Sequence, residues 1–262
     1  METVQASISV PPDSVPPDSV LPDSLTPEIA QRPPLGYPTR GTRRGGASRG
    51  GTCHLAADVS PLTALMPADP DGQADALAPP SVVSLTRQTA PNLWFYLPYP
   101  VDAHSQIDFV VKDADQNTLH QARLATDRIS SQGAIAPGII QVSLRDLDIA
   151  LRPDWGYHWY FTVRCDGGGA VSVDGWLHHL ATAAPPPAPG NATLHQIAEN
   201  EAHEGFWVDS LTTLVEGLRD ASINEADREQ LQTTWQSLLS AEGLADIIDH
   251  PVQDCCEFER VP

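Results

Sequence analysis

Asn92–Ala181 reads as β, a series of short apolar stretches bounded by turn residues. Ile107, Phe109 and Val111 alternate with Asp108 and Lys112, the pattern of a strand with one buried face. Leu93-Trp94-Phe95-Tyr96-Leu97 is a short aromatic run between Pro91 and Pro98. Asp113-Ala114-Asp115-Gln116-Asn117 has turn chemistry, and Thr118–Leu124 returns as the next strand. Ile139–Leu144 follows Gly138, and Tyr157–Cys165 places Trp159, Phe161 and Val163 on one face. Gly167-Gly168-Gly169 lies between two strands and reads as a hairpin turn into Ala170–Leu177. With Val82–Thr86 these make seven short strands, at the spacing of an antiparallel sandwich. Leu151-x-Pro153-x-x-x-Tyr157 precedes the sixth strand, where a tyrosine corner is expected in fibronectin-like sandwiches.

After Ala181–Gly190, a stiff proline-rich linker, the period changes from two to 3.6. Leu194, Ile197, Ala198 and Ala202 form one helical face, with Asn191 as its expected cap and Gly205 as its stop. Trp207, Leu211, Leu214, Val215 and Leu218 form a second helix. Ser222-x-x-Glu225 reads as a capping box before Leu231, Trp235, Leu238 and Leu239, and a short helix follows Gly243. The expected fold class is α+β: an immunoglobulin/fibronectin-like antiparallel β-sandwich over residues 53–183, then a helical extension over 191–256 packed on it.

Residues 1–52 fit neither pattern. Nine of the 25 prolines lie before Arg40, and Pro12-Asp13-Ser14-Val15 recurs as Pro17-Asp18-Ser19-Val20 and, with leucine last, as Pro22-Asp23-Ser24-Leu25. Proline at every repeat removes donors and blocks helix, so this arm is expected to be disordered or polyproline-like.

Charge divides the chain further. The net charge is −19, from 34 acidic and 15 basic residues. Residues 190–262 carry 15 of the acids and three arginines. This excludes the basic footprint of a phosphate-tracking nucleic-acid binder and of a polybasic membrane-surface protein. No run is long and apolar enough for a membrane span. Against the trend, Arg40, Arg43, Arg44 and Arg49 stand among glycines with no acid between them. Such a strap can bind a polyanion or pair with the protein's own acidic surface.

Chemistry-bearing sets are few. There is no Gly-x-Ser-x-Gly, no P-loop and no dinucleotide fingerprint before a helix, so no catalytic set and no cofactor is assigned. His195, Glu199 and His203 share one helical face at spacings of four, but three ligands over two turns seldom converge on one ion, so no metal site is assigned. Trp94, Tyr96 and Trp176 are the candidate aromatic ligand platform. The four cysteines Cys53, Cys165, Cys255 and Cys256 are disulfide candidates, and at least one bond to Cys165 is expected. They allow three full pairings. Adjacent cysteines rarely join, so Cys255 and Cys256 are expected to take different partners.

Several segments in order resemble one known family. They are the Arg/Gly run to Cys53, Leu62-Thr63-Ala64-Leu65-Met66-Pro67, Leu93–Tyr99, Phe109–Asp113, Tyr157-His158-Trp159 reaching Cys165-Asp166, Val171–Trp176, Gly205–Leu211 and Trp235–Leu239. Together, over roughly Arg43 to Cys256, the chain resembles the cyanobacterial family described as domain of unknown function 928. The resemblance carries no activity and transfers no catalytic residue. Members usually begin with a secretory leader, which implies an extracytoplasmic, envelope-associated protein. This chain's first residues lack the basic and apolar regions of a leader, which by itself points to the cytoplasm. The expected function is a non-enzymatic module that binds another protein at the envelope; the alternative is a carbohydrate- or small-ligand-binding sandwich.

Overall fold

The structure, a computed structural model, describes residues 41–45, 58–67, 82–102, 104–125, 134–164, 169–180 and 192–261. The proline-rich arm, Arg40, Arg49, Cys53, Cys165, the linker 181–190 and Asn191 lie outside the described residues.

The described chain is α+β, with two sheets followed by three helices. The smaller sheet has the order β1 (Thr63–Ala64), β3 (Asn92–Leu97), β6 (Gly138–Ser143), all antiparallel. The larger has the order β2 (Val83–Thr86), β8 (Ala170–His179), β7 (Trp155–Arg164), β4 (Gln106–Lys112), β5 (Thr118–Leu124), β9 (Phe258–Arg260). Seven of these strands answer to the seven read from the sequence. The other two, β1 and β9, have two and three residues, too few to show a period. The larger sheet is also mixed rather than purely antiparallel, because β2 runs parallel to β8.

The sheets pack face to face through aromatic rings. Phe95 of β3 stacks on Phe161 of β7 at 4.2 Å and meets Trp159 edge-on at 5.5 Å. Such pairs add directional contact to the burial of large apolar area. The alternation puts Leu93, Phe95 and Leu97 on this inner face, which leaves Trp94 and Tyr96 on the other face of the same strand. Gly175 lies opposite Trp159 in the β7–β8 ladder, and a Cβ there would fall 2.6 Å from the Trp159 ring, so only glycine admits that indole.

The helices α1 (Leu194–His203), α2 (Trp207–Arg219) and α3 (Glu225–Ala241) supply the third layer. α2 packs on β2 and β3. The Trp94 indole donates to Thr212 Oγ1 at 3.3 Å, and the Trp207 indole donates to the Leu65 carbonyl at 2.9 Å. β3 is thus covered on both faces, which explains why Leu93 through Leu97 are all buried. Local signals set the helix ends. Gly205 adopts φ +86° after α1, and Gly243 adopts φ +67° after α3. Two expected caps are corrected. α3 is capped by Asn224, whose side chain accepts from the Asp227 amide at 2.9 Å; Ser222 instead binds the Asp220 carboxylate through its own amide. α1 is capped at Thr193, whose amide donates to the Gln196 side chain. The segment after Gly243 is a single 3-10 turn, Ala245–Ile247.

At the start of β7 the Arg152 amide donates to the Tyr157 hydroxyl at 2.7 Å, the back-bond expected of a tyrosine corner. Tyr157→Phe removes the acceptor and keeps the ring. It is expected to cost about 1 kcal/mol in equilibrium unfolding by denaturant. A loss near zero would mean that the Arg152 amide finds another partner.

Candidate functional site

The residues proposed from the sequence are placed by three different parts of the fold. Trp94, Tyr96 and Trp176 are 2 %, 1 % and 3 % exposed. Trp94 lies against α2, Tyr96 packs on the His250 ring at 4.4 Å, and Trp176 stacks on His158 at 4.5 Å. They do not meet in one groove and all three are buried, so a sugar-stacking platform built on them is corrected: Trp94 and Tyr96 pack beneath neighbouring elements, and Trp176 packs on His158 within the larger sheet. For Trp94 the physical reason is the third layer, which claims the face of β3 that alternation leaves over.

The basic strap divides. Arg44 grips Asp246 through both guanidinium ends, at 2.7 and 2.6 Å, and Ser60 adds a third hydrogen bond to that carboxylate. These contacts hold the Asp246 carboxyl well below the usual carboxylate range, the Arg44 hydrogen bond being the largest cause. Arg43 donates to the Glu242 carbonyl at 2.7 Å and pairs with its carboxylate at 3.8 Å. Both arginines are therefore spent on the acidic C-terminal part, and the polyanion reading is corrected at these two positions.

His195, Glu199 and His203 do not converge. His195 Nδ1 lies 2.8 Å from Thr193 Oγ1, and Glu199 accepts from Thr234. Among the described residues no group of three or more His, Cys, Asp or Glu side chains is arranged to hold a metal ion. Cys255 and Cys256 are bonded to each other, against the expectation of separate partners. In this bonded pair Cys256 sits at φ +78°.

The arrangement that the sequence did not announce lies on the outer face of the larger sheet. Asp108 of β4 is 4 % exposed, and its two carboxylate oxygens accept from Arg123 Nε (β5) at 2.9 Å and Arg164 Nε (β7) at 2.8 Å. Burial pushes the Asp108 carboxyl up, but the guanidiniums of Arg164 and Arg123 outweigh it and hold it below the ordinary value. Each arginine side chain keeps more than half its surface in water, 55 % and 54 %. One buried carboxylate thus orients two guanidiniums. Glu259 stands opposite Arg123 in the β5–β9 register.

Arg164 also lines a depression of about 550 Å³ at that end of the sandwich, between the β3–β4 loop and the ends of β4 and β7. Leu97, Val101, Ile107 and Val163 form its floor, with Tyr99, Asp102, His104 and Ser105 around it. The loop is held by Asp102, which accepts from the His104 amide at 2.9 Å and from Ser105 Oγ at 3.1 Å. The Val101–Ile135 bridge pins its base. This is a rigid strand scaffold carrying a polar loop beside an oriented cation, the usual anatomy of a recognition site. A sequence signal existed only in part: Asp108 sits on the polar side of an alternating strand, but its two partners are 15 and 56 residues away and are joined to it only by strand register.

Among the described residues no helix is long and apolar enough to cross a membrane. No curated protein and no solved structure matches the chain. A family model does match, across residues 44–252, which takes in β1 to β8 and all three helices. The chain belongs to the family described as Domain of Unknown Function (DUF928).

Proposed function

We propose that this protein is a non-enzymatic protein-interaction module of the cell envelope, built on an immunoglobulin/fibronectin-like sandwich. The sandwich reading is supported by the order β1-β3-β6 facing β8-β7-β4-β5 and by the tyrosine corner at the start of β7. The interaction reading rests chiefly on one observation: Arg164, oriented with Arg123 by the buried Asp108 carboxylate, lines the loop-end depression. The two guanidiniums neutralise the buried Asp108 carboxylate, yet more than half of each stays in water, where a partner can reach it. A partner that presents a carboxylate beside a small apolar group fits the arrangement. The closed form of the Cys255–Cys256 bond fits an oxidising compartment, where disulfides form.

Affinity capture from native extract at several salt concentrations tests this, with the Arg123→Gln/Arg164→Gln variant in parallel. The expected result is a partner retained by the natural protein at low salt, lost as salt rises, and absent from the variant. Recovery of the same proteins by both would overturn the reading.

A further inference from the structure

We propose that Cys255–Cys256 is a reversible thiol–disulfide site, reduced by a dithiol, whose closed form latches β9 onto the edge of the six-stranded sheet. Three observations carry this. First, the two cysteines are adjacent and bonded, so the bond closes a small ring that fixes the backbone of both residues. Within it Cys256 sits at φ +78°, a region that residues with a Cβ disfavour. Second, this ring comes two residues before β9 and aims it. β9 is only three residues long, paired to β5 through Ala122↔Arg260, Arg123↔Glu259 and Leu124↔Phe258, with the Ala125 amide donating to the Glu257 carbonyl at 2.8 Å. Phe258 is buried, its ring centroid 6.2 Å from that of Phe161. Third, both cysteines line a pocket of about 540 Å³, shared with Arg219, Gln141 and Phe258, through which a small reductant can approach.

The step balances with one dithiol. A thiolate attacks Sγ of Cys255, the less buried residue of the pair. The Sγ–Sγ bond breaks, and its electron pair leaves on Cys256 Sγ, which takes a proton. The reductant's second thiol then displaces Cys255 as its thiol, and the reductant departs as a disulfide. Once the ring is open, Cys256 returns to negative φ, and the strand that follows loses its direction. β5 is then left with unpaired amides and carbonyls, a template for an incoming strand. Redox state therefore decides whether this edge is closed or available.

Hydrogen exchange on the full chain tests the latch, before and after dithiothreitol. Peptides covering 119–125 and 257–261 are expected to exchange at least about tenfold faster after reduction, while those from β7 stay unchanged. The Cys255→Ser/Cys256→Ser variant is expected to exchange fast from the start and to ignore dithiothreitol. Unchanged exchange on reduction, a variant that still responds to the reductant, or alkylation of both residues before reduction would each overturn the proposal.

Discussion

Replacing Trp94 by alanine is expected to lower the free energy of unfolding by about 3–5 kcal/mol, the range for a large aromatic removed from a packed core. The indole is 2 % exposed and stands between the smaller sheet and α2. Neighbours on both sides belong to rigid elements, so the space left behind cannot collapse. The lost hydrogen bond is a minor part, because Thr212 Oγ1 keeps its own bond to the Val208 carbonyl at 2.8 Å. Urea unfolding of the variant, followed by tryptophan fluorescence and far-UV circular dichroism, gives the number. A surface residue that serves only a ligand changes stability by no more than about 0.5 kcal/mol. A loss that small would return Trp94 to the ligand-binding reading and would mean that α2 does not cover β3.

Trp94 also shows where reading the sequence reaches its limit. Alternation in Leu93–Leu97 identified the strand and divided its side chains correctly into two sets. It could not say what lay over the second set, because that depends on where α2 packs, more than a hundred residues later. Tyr157 was legible for the opposite reason: its partner, the Arg152 amide, is five residues away, so the local spacing contained the whole interaction. The same distinction separates the helix caps from the strap. Gly205 and Gly243 stop helices by local backbone preference and could be read directly. Arg44 reaches Asp246 across 202 residues, and only the net charge of the two segments hinted at it. The cysteine pair failed differently. Geometry in general disfavours adjacent bonds, and the positive φ that Cys256 adopts in the bonded pair cannot be seen in composition or period.

Stability is expected to carry an unusual pH signature from the junction of α1, α2 and β2. Glu201 is held up to about 7 from an ordinary 4.5, chiefly by burial; the Thr213 hydroxyl at 2.9 Å works against this, and Asp209 adds to it. Asp209 is raised as well, again chiefly by burial, although the Thr86 hydroxyl and the Arg87 amide donate to its two oxygens at 2.6 and 2.8 Å. Arg87 pairs with Glu204 and lies over the Phe206 ring at 3.5 Å, so one guanidinium serves a cluster of three carboxylates. For a carboxyl whose folded value is raised, the folded state holds the proton more tightly than the unfolded chain. Stability therefore falls as pH rises from about 4.5 to about 7, and above that the penalty is constant. Converted at 1.36 kcal/mol per unit and discounted for the side that water still reaches, the penalty is about 1–2 kcal/mol. His178 and His120 act in the opposite sense in part of this window. Burial lowers both below 6.5, so their contribution is lost as pH falls. The difference between the natural protein and Glu201→Gln removes those shared contributions, and the amide oxygen can still accept from Thr213. The variant is expected to match the natural protein closely at pH 4.5 and to exceed its unfolding free energy by about 1–2 kcal/mol at pH 8. Denaturant unfolding of both proteins at the two pH values measures this. An equal difference at both values would show that Glu201 titrates as it does in the unfolded chain. The buried carboxylates would then be ionised in the folded protein, and Arg87 would carry the balancing charge alone.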